Sequence, residues 1–181
     1  MQLASEIQKN LLQRSEVAQA SPLAHHDISW DYRTKMVDWM VEVCHSFKTS
    51  ERAYFLSVAL FDAALRKYKQ KLGNPDVHLI GVTCMYLGSK YEDVYPLHSK
   101  TIAEKISHKA FQPKQITRKE EELLRLFEFQ IDFVTPLDLH QLFVKLVASK
   151  VPAGSQEQLA RRVEETSLLF VRMGMQHPDF L

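Results

Sequence analysis

Apolar residues recur three and four positions apart along almost the whole sequence, and alternation of period two is nowhere sustained. That periodicity predicts helices throughout. A first helix is expected from about residue 2 to 19, stopped by Ser21-Pro22, and a loop carrying His25 and His26 follows. A second spans about 31 to 48, with Met36, Met40, Val43 and Phe47 on one face and Val37, Val41 and Cys44 beside them. Thr49-Ser50 offers the N-cap of a third, about 51 to 69. Asn74 as N-cap and Pro75 at the first helical position open a fourth, which runs to about 91. This fourth helix is apolar on every side, with Val77, Ile80, Cys84 and Leu87 opposite Leu79, Val82, Met85 and Tyr86. A helix of that kind is buried all round, so it should be the centre of a bundle. Gly81 and Gly88 fall on one face and would admit a neighbouring helix closely.

Shorter patterns follow at about 98 to 109 and 113 to 129, and Thr135-Pro136 opens another helix to about 149. Residues 151 to 155 read as a linker, and a last helix covers about 156 to 173. No low-complexity tract or short-period repeat interrupts this order. The expected fold class is all-α.

Composition narrows the function more than the fold. A sequence of 181 residues that is 45% hydrophobic is able to bury one substantial core, and only 5 Gly and 7 Pro favour long helices over tight turns. Lys and Arg number 23 against 22 Asp and Glu, a balance that argues against a large nucleic-acid footprint. Cys44 and Cys84 sit inside apolar helical segments and read as small buried hydrophobes in a reducing compartment. The N-terminus lacks the continuous apolar core of a secretory signal, and no run reaches the ~18 apolar residues of a membrane span. An intracellular protein is expected, in nucleus or cytoplasm.

The informative positions are charges within apolar stripes. Asp62 is the only charged residue between Ala53 and Leu65. It either reaches solvent at the edge of its stripe or is buried with a cationic partner, for which Arg33 is the candidate. Glu120 lies about 40° round the helix from Ile116, along the apolar stripe, whereas Glu121 and Glu122 turn away to about 140° and about 240°. Its stem could simply cover the rim of the core. Lys90 ends the all-apolar helix, where the helix dipole alone would favour it.

No catalytic constellation stands out. GxxxxGK[ST], GxGxxG and GxSxG patterns are missing, and the 8 histidines show no metal-ligand spacing. His25 and His26 read as a surface pair. Cys44 and His45 project about 100° apart and make no nucleophile–base pair. No cofactor or metal is expected, and the protein is not expected to be an enzyme.

Four segments, in order, carry a resemblance. RTKMVDWMVEV (33–43) resembles the opening of the cyclin box, an arginine followed after three residues by VDWLVEV. LFDAAL (60–65) is similar to the box's second helix, and LIGVTCMYLGSKYEDVYP (79–96) to the third with its Ala-Ser-Lys-Phe-Glu-Glu stretch. EEELLRLFEFQIDFVTP (120–136) resembles the fifth. The resemblance covers residues 31–135, leaving 1–30 as an N-terminal helix and loop. Residues 136–181, with TPLDLHQLF and LARRVEETSLLFVRM, resemble the start of a second cyclin fold or form a C-terminal extension.

The resemblance implies a five-helix cyclin-box bundle, preceded by one helix and followed by two. It implies a regulatory subunit that binds and activates a cyclin-dependent protein kinase. Arg33 and Asp62 would be an internal buried pair, and Lys90 and Glu120 the side chains that hold the kinase backbone, with Glu122 a poorer register. Tyr91, Glu92 and Asp93 would face the kinase. Met36, Trp39, Glu42 and His78 fall where cyclins dock substrates through Arg-x-Leu motifs. Here Lys35 places a positive charge in that patch and His78 stands at a glutamine position, which disfavours a basic ligand. A transcription-factor-like adaptor and a non-activating scaffold are the alternatives on the same fold.

Overall fold

The computed structural model describes residues 21–148 and 156–176, so the expected first helix and the 151–155 linker lie outside the described residues. The described residues fall into two units, one within Ala20–Phe133 and one within Val134–Leu181. Among the described residues every regular element is helical.

The first unit contains α1 (Trp30–Phe47), α2 (Glu51–Lys67) and α3 (Asn74–Glu92). A short α4 follows, one α-helical turn (Ser99–Thr101) continued by a π-helical turn (Ile102–Ile106), and then α5 (Pro113–Leu126). Ser29 caps α1 by accepting from the Tyr32 N–H, and Ser50 caps α2 by accepting from the Ala53 N–H. The cap of α3 is Gly73, one residue earlier than expected. Asp76 reaches back to accept from the Gly73 N–H at 3.2 Å, so the helix winds from Asn74. Two ends come early. α5 stops at Leu126 because Glu128 and Phe129 turn left-handed and Phe129 N–H closes back onto Leu124 O at 2.8 Å. In the same way His108 and Lys109 take φ of 47° and 65° after the π-turn, and Lys109 N–H bonds to Ala103 O.

The core lies between α2 and α3, so α3 shares the centre rather than holding it alone. From Ala53 to Leu65 only Ala59 in α2 is not buried, since that run is as apolar as α3 itself. α1 adds Met36, Val37, Met40 and Val43, while Val41 turns out to solvent and Phe47 and Cys44 are half-buried. Ile102 and Ile106 from α4, Ile116 and Leu123 from α5 and Phe127 just after it close the bundle. Cys84 is fully buried and both cysteines are free thiols, whose pKa is pushed up by burial.

His26 departs from the expected surface pair. It is buried, with Nε2 2.7 Å from Leu65 O and Nδ1 accepting from the Leu72 N–H at 3.4 Å. It thereby pins the segment before α1 to the C-terminal end of α2. His25 is exposed.

In the second unit, α6 (Pro136–Ala148) is capped reciprocally, since Asp138 accepts from the Thr135 N–H and hydroxyl at 2.8 and 2.6 Å. It packs against α7 (Gln156–Gly174), and His140 Nε2 lies 2.7 Å from Ser167 Oγ between them. Phe143, Val147, Leu169, Phe170 and Met173 remain exposed.

The two interior glycines of α3 are not equivalent. A Cβ at Gly88 would meet Ser57 Oγ and the Ala53 carbonyl oxygen, the latter at 2.8 Å, so α2 itself would have to move. At Gly81 the nearest atom is Met36 Cε at 2.5 Å, the far end of a flexible side group. Gly88→Ala is therefore expected to lower stability by about 1–3 kcal/mol. Gly81→Ala should stay close to the parent, because gained helix propensity offsets a small shift of Met36. Paired urea titrations check this, and equal midpoint losses would contradict it.

Candidate functional site

Arg33 emerges from the first turn of α1 directly onto α2. Its Nε donates to Asp62 Oδ1 at 2.8 Å and a terminal nitrogen donates to Oδ2 at 2.7 Å, a two-pronged pair with side chains 0% and 4% exposed. The Trp30 ring covers the guanidinium, 5.5 Å from Cζ to centroid. Of the two readings open for Asp62, burial with a cation is the one realised. The pair joins α1 and α2 and reaches no solvent, so it sets how one helix crosses the other.

At the other end of the core, Lys90 closes α3 and Glu120 lies midway along α5. Lys90 Nζ donates to Glu120 Oε1 at 2.6 Å. The lysine side chain is 44% exposed and the glutamate 9%, so the bridge sits at the rim of the core. Lys90 also lies over the Tyr86 ring at 5.0 Å. The hydrogen bond to Glu120 pushes the Lys90 pKa up, against the opposing effect of partial burial, and the ammonium stays charged. Glu122 is engaged elsewhere. It receives a hydrogen bond from the Tyr68 hydroxyl and pairs with Lys119 at 2.8 Å. Burial raises its pKa, but Lys119 and the Tyr68 hydroxyl outweigh that and hold it low.

Two residues beyond Lys90, after Glu92, the backbone leaves the helix. Tyr91 is 52% exposed, Val94 86% and Tyr95 92%, three large apolar side groups in five residues. Glu92 is half-buried. Asp93 faces inward: Oδ1 accepts from the Ser50 N–H at 2.9 Å and Oδ2 from the Ser89 hydroxyl at 2.8 Å. Ser89 Oγ in turn accepts from the Leu97 N–H at 2.9 Å. This series of bonds ties the start of α2 to both ends of the 90–97 turn, so Asp93 acts as a brace behind the exposed residues. Sequence reasoning missed Ser89 and Ser50 in this role. Its local signal was a Ser and an Asp four apart at a helix end, but the third member is a backbone N–H 43 positions away.

A concavity forms where α1, the start of α3 and the end of α4 meet. It brings together Met36, Trp39 and His78 of the docking-patch residues. Glu42, two turns beyond Lys35 on α1, is exposed and does not line it. Among the described residues no cluster of His, Cys, Asp or Glu could hold a metal ion, and no helix is long and apolar enough to cross a membrane.

The model of the cyclin N-terminal domain matches residues 2–132, and the chain belongs to that family. Its relatives include G2/mitotic-specific cyclin-B1 of Oryzias luzonensis, 30% identical over 92% of this chain and 42% of the relative. Cyclin-B2-1 of Oryza sativa subsp. japonica is 30% identical over 86% and 36%. The chain thus spans about two fifths of the length of the curated relatives it matches. Among solved structures, the crystal structure of a viral cyclin from herpesvirus saimiri superposes with a TM-score of 0.77 at 22% identity, covering 96% of this chain and 74% of that one. That likeness establishes the fold.

Removing one partner of the Arg33–Asp62 pair leaves an uncompensated buried charge. Arg33→Ala or Asp62→Ala is expected to cost about 3–5 kcal/mol, and the apolar double change Arg33→Met/Asp62→Leu much less. Chemical denaturation of the three variants measures this. Single losses below about 1 kcal/mol, the range of surface pairs, would show that the bridge does not hold the helices.

Proposed function

We propose that this protein is a cyclin-like regulatory subunit that binds and activates a cyclin-dependent protein kinase. The observation that carries the reading is the half-exposed Lys90–Glu120 bridge, followed directly in sequence by the exposed Tyr91, Val94 and Tyr95. An ammonium has three donors and a carboxylate two acceptor oxygens, so one mutual bond leaves groups of both kinds for a partner's backbone carbonyl and amide groups. The neighbouring aromatic and aliphatic residues supply the apolar area such an interface needs at its centre. Glu92 would contribute at its edge, while Asp93 holds the turn in place.

The mechanism is differential binding. A surface that fits only the active arrangement of a kinase shifts the population toward it and needs no chemistry of its own. Membership of the cyclin family supports this, and the relatives named as mitotic cyclins favour cell-cycle control over transcription. Such a partner places the protein inside the cell, in nucleus or cytoplasm. We read residues 31–135 as the kinase-binding box and 136–181 as the start of a second cyclin-like fold or a helical extension. The exposed apolar residues of α6 and α7 support the former.

The test is capture of a cyclin-dependent kinase by the tagged protein, comparing the parent with Lys90→Ala/Glu120→Ala. The double variant is expected to lose more than about tenfold in affinity with its helical circular dichroism unchanged. Equal retention of the kinase would mean that the interface lies elsewhere.

A further inference from the structure

The sequence holds 6 tyrosines, and the fold treats one of them unlike the rest. Tyr32, Tyr54, Tyr86 and Tyr91 lie within helices, where the backbone is committed to helical hydrogen bonds. The Tyr32 hydroxyl donates to Asn74 O at 2.9 Å, Tyr54 is buried, and Tyr86 carries the Lys90 ammonium over its ring. Tyr91 is exposed, but it belongs to the last turn of α3. Tyr68 is buried at the end of α2 and donates to Glu122. Tyr95 alone is both outside any helix and exposed, at 92%. Its hydroxyl has no hydrogen-bond partner among the described residues.

Local sequence and tertiary bonds together account for this. Pro96 biases the residue before it away from helical backbone and offers no N–H of its own, so α3 does not run through Tyr95. Asp93 and Leu97 are both tied to the bundle, through the Ser50 N–H and the Ser89 hydroxyl. Val94, Tyr95 and Pro96 therefore bridge two fixed points, and Val94 and Tyr95 are left in solvent. A phenol carries its hydroxyl at the tip of a long, rigid ring, so it can enter another protein's cleft while the backbone stays at the surface. Glu92 and Asp93 precede it, and no Lys or Arg lies between Lys90 and Lys100. An acidic approach of that kind suits an enzyme whose substrate cleft is basic.

We propose that Tyr95 is a phosphate acceptor for a tyrosine-specific protein kinase, and that its phosphorylation closes the kinase-binding rim. In the transfer, Tyr95 Oη attacks the γ-phosphorus of ATP held by the modifying enzyme. The Oη–P bond forms as the bond from that phosphorus to the β,γ-bridging oxygen breaks. ADP leaves with the electron pair, and the phenolic proton passes to the modifying enzyme's base. The product carries about −1.5 to −2 charge at pH 7. Between Val94 and Tyr91, and close in sequence to Glu92, that charge would have to be desolvated at an apolar contact, which opposes docking. This second effect rests on the kinase-binding reading, whereas the acceptor chemistry does not. Linkage requires the converse as well, so a bound partner shields Tyr95 from modification.

Treating the whole protein with Mg-ATP and the catalytic domain of a tyrosine-specific kinase, then mapping phosphate by peptide mass spectrometry, tests the acceptor. Tyr95 is expected to carry at least about tenfold more phosphate than any other tyrosine, because each of the others needs local unfolding first. Tyr95→Phe should lose nearly all incorporation. A different main acceptor, an even spread, or no incorporation would overturn the proposal. Capture of a cyclin-dependent kinase then compares the phosphorylated protein with the same sample after treatment by a tyrosine phosphatase. Capture is expected to be more than about tenfold weaker before the phosphatase than after it. Equal capture in both, with Lys90→Ala/Glu120→Ala still failing to bind, would overturn the regulatory effect and leave the kinase reading standing. No capture by the unmodified protein would instead overturn the kinase reading and the regulation with it, while the mapped acceptor would stand.

Discussion

The Arg33–Asp62 bridge is the constraint on which the bundle depends. Two full charges lie between α1 and α2 with essentially no access to water, and only a two-pronged geometry makes that tolerable. An apolar contact would allow α1 to slide or roll over α2; a planar guanidinium clasping a carboxylate does not. Fixing α1 on α2 fixes the Met36–Met40 face against Gly81 of α3, and α3 in turn carries Lys90 to the rim. The rim pair has the opposite design. Its glutamate is nearly buried and its lysine half in solvent, so the bond is anchored on one side and accessible on the other.

Much of this was legible from residue order because charges are conspicuous in apolar stripes. Asp62, alone among thirteen residues from Ala53 to Leu65, had to be either exposed or paired, and Arg33 was the cation in reach. Lys90 and Glu120 were each explicable by a blander local cause. Only the packing of α3 on α5 brings them to 2.6 Å and separates Glu120 from Glu122, which Tyr68 and Lys119 occupy. Periodicity also placed every described helix, since the apolar stripes are long.

What stayed hidden depends on partners distant in sequence or on backbone groups. His26 looked like half of a surface pair, yet its bonds go to the backbone at Leu65 and Leu72. Asp93 looked outward-facing by its neighbours, while its partners are the Ser50 N–H and the Ser89 hydroxyl. The early ends of α4 and α5 come from left-handed His108, Lys109, Glu128 and Phe129, of which only His108 is of a residue type enriched in that conformation. Helix existence follows from side-chain spacing; caps and closures follow from where individual backbone hydrogen bonds find partners.

In the proposed function, the frame built on Arg33–Asp62 presents the Lys90–Glu120 rim to a protein kinase. Hydrogen–deuterium exchange of the protein, alone and with a cyclin-dependent kinase, tests this most directly, because it maps the contact without altering any residue. Slowed exchange is expected over residues 89–97 and in α5 around Glu120, with the concavity at Met36, Trp39 and His78 unchanged. Protection confined to that concavity or to α6 and α7, or absent everywhere, would contradict it.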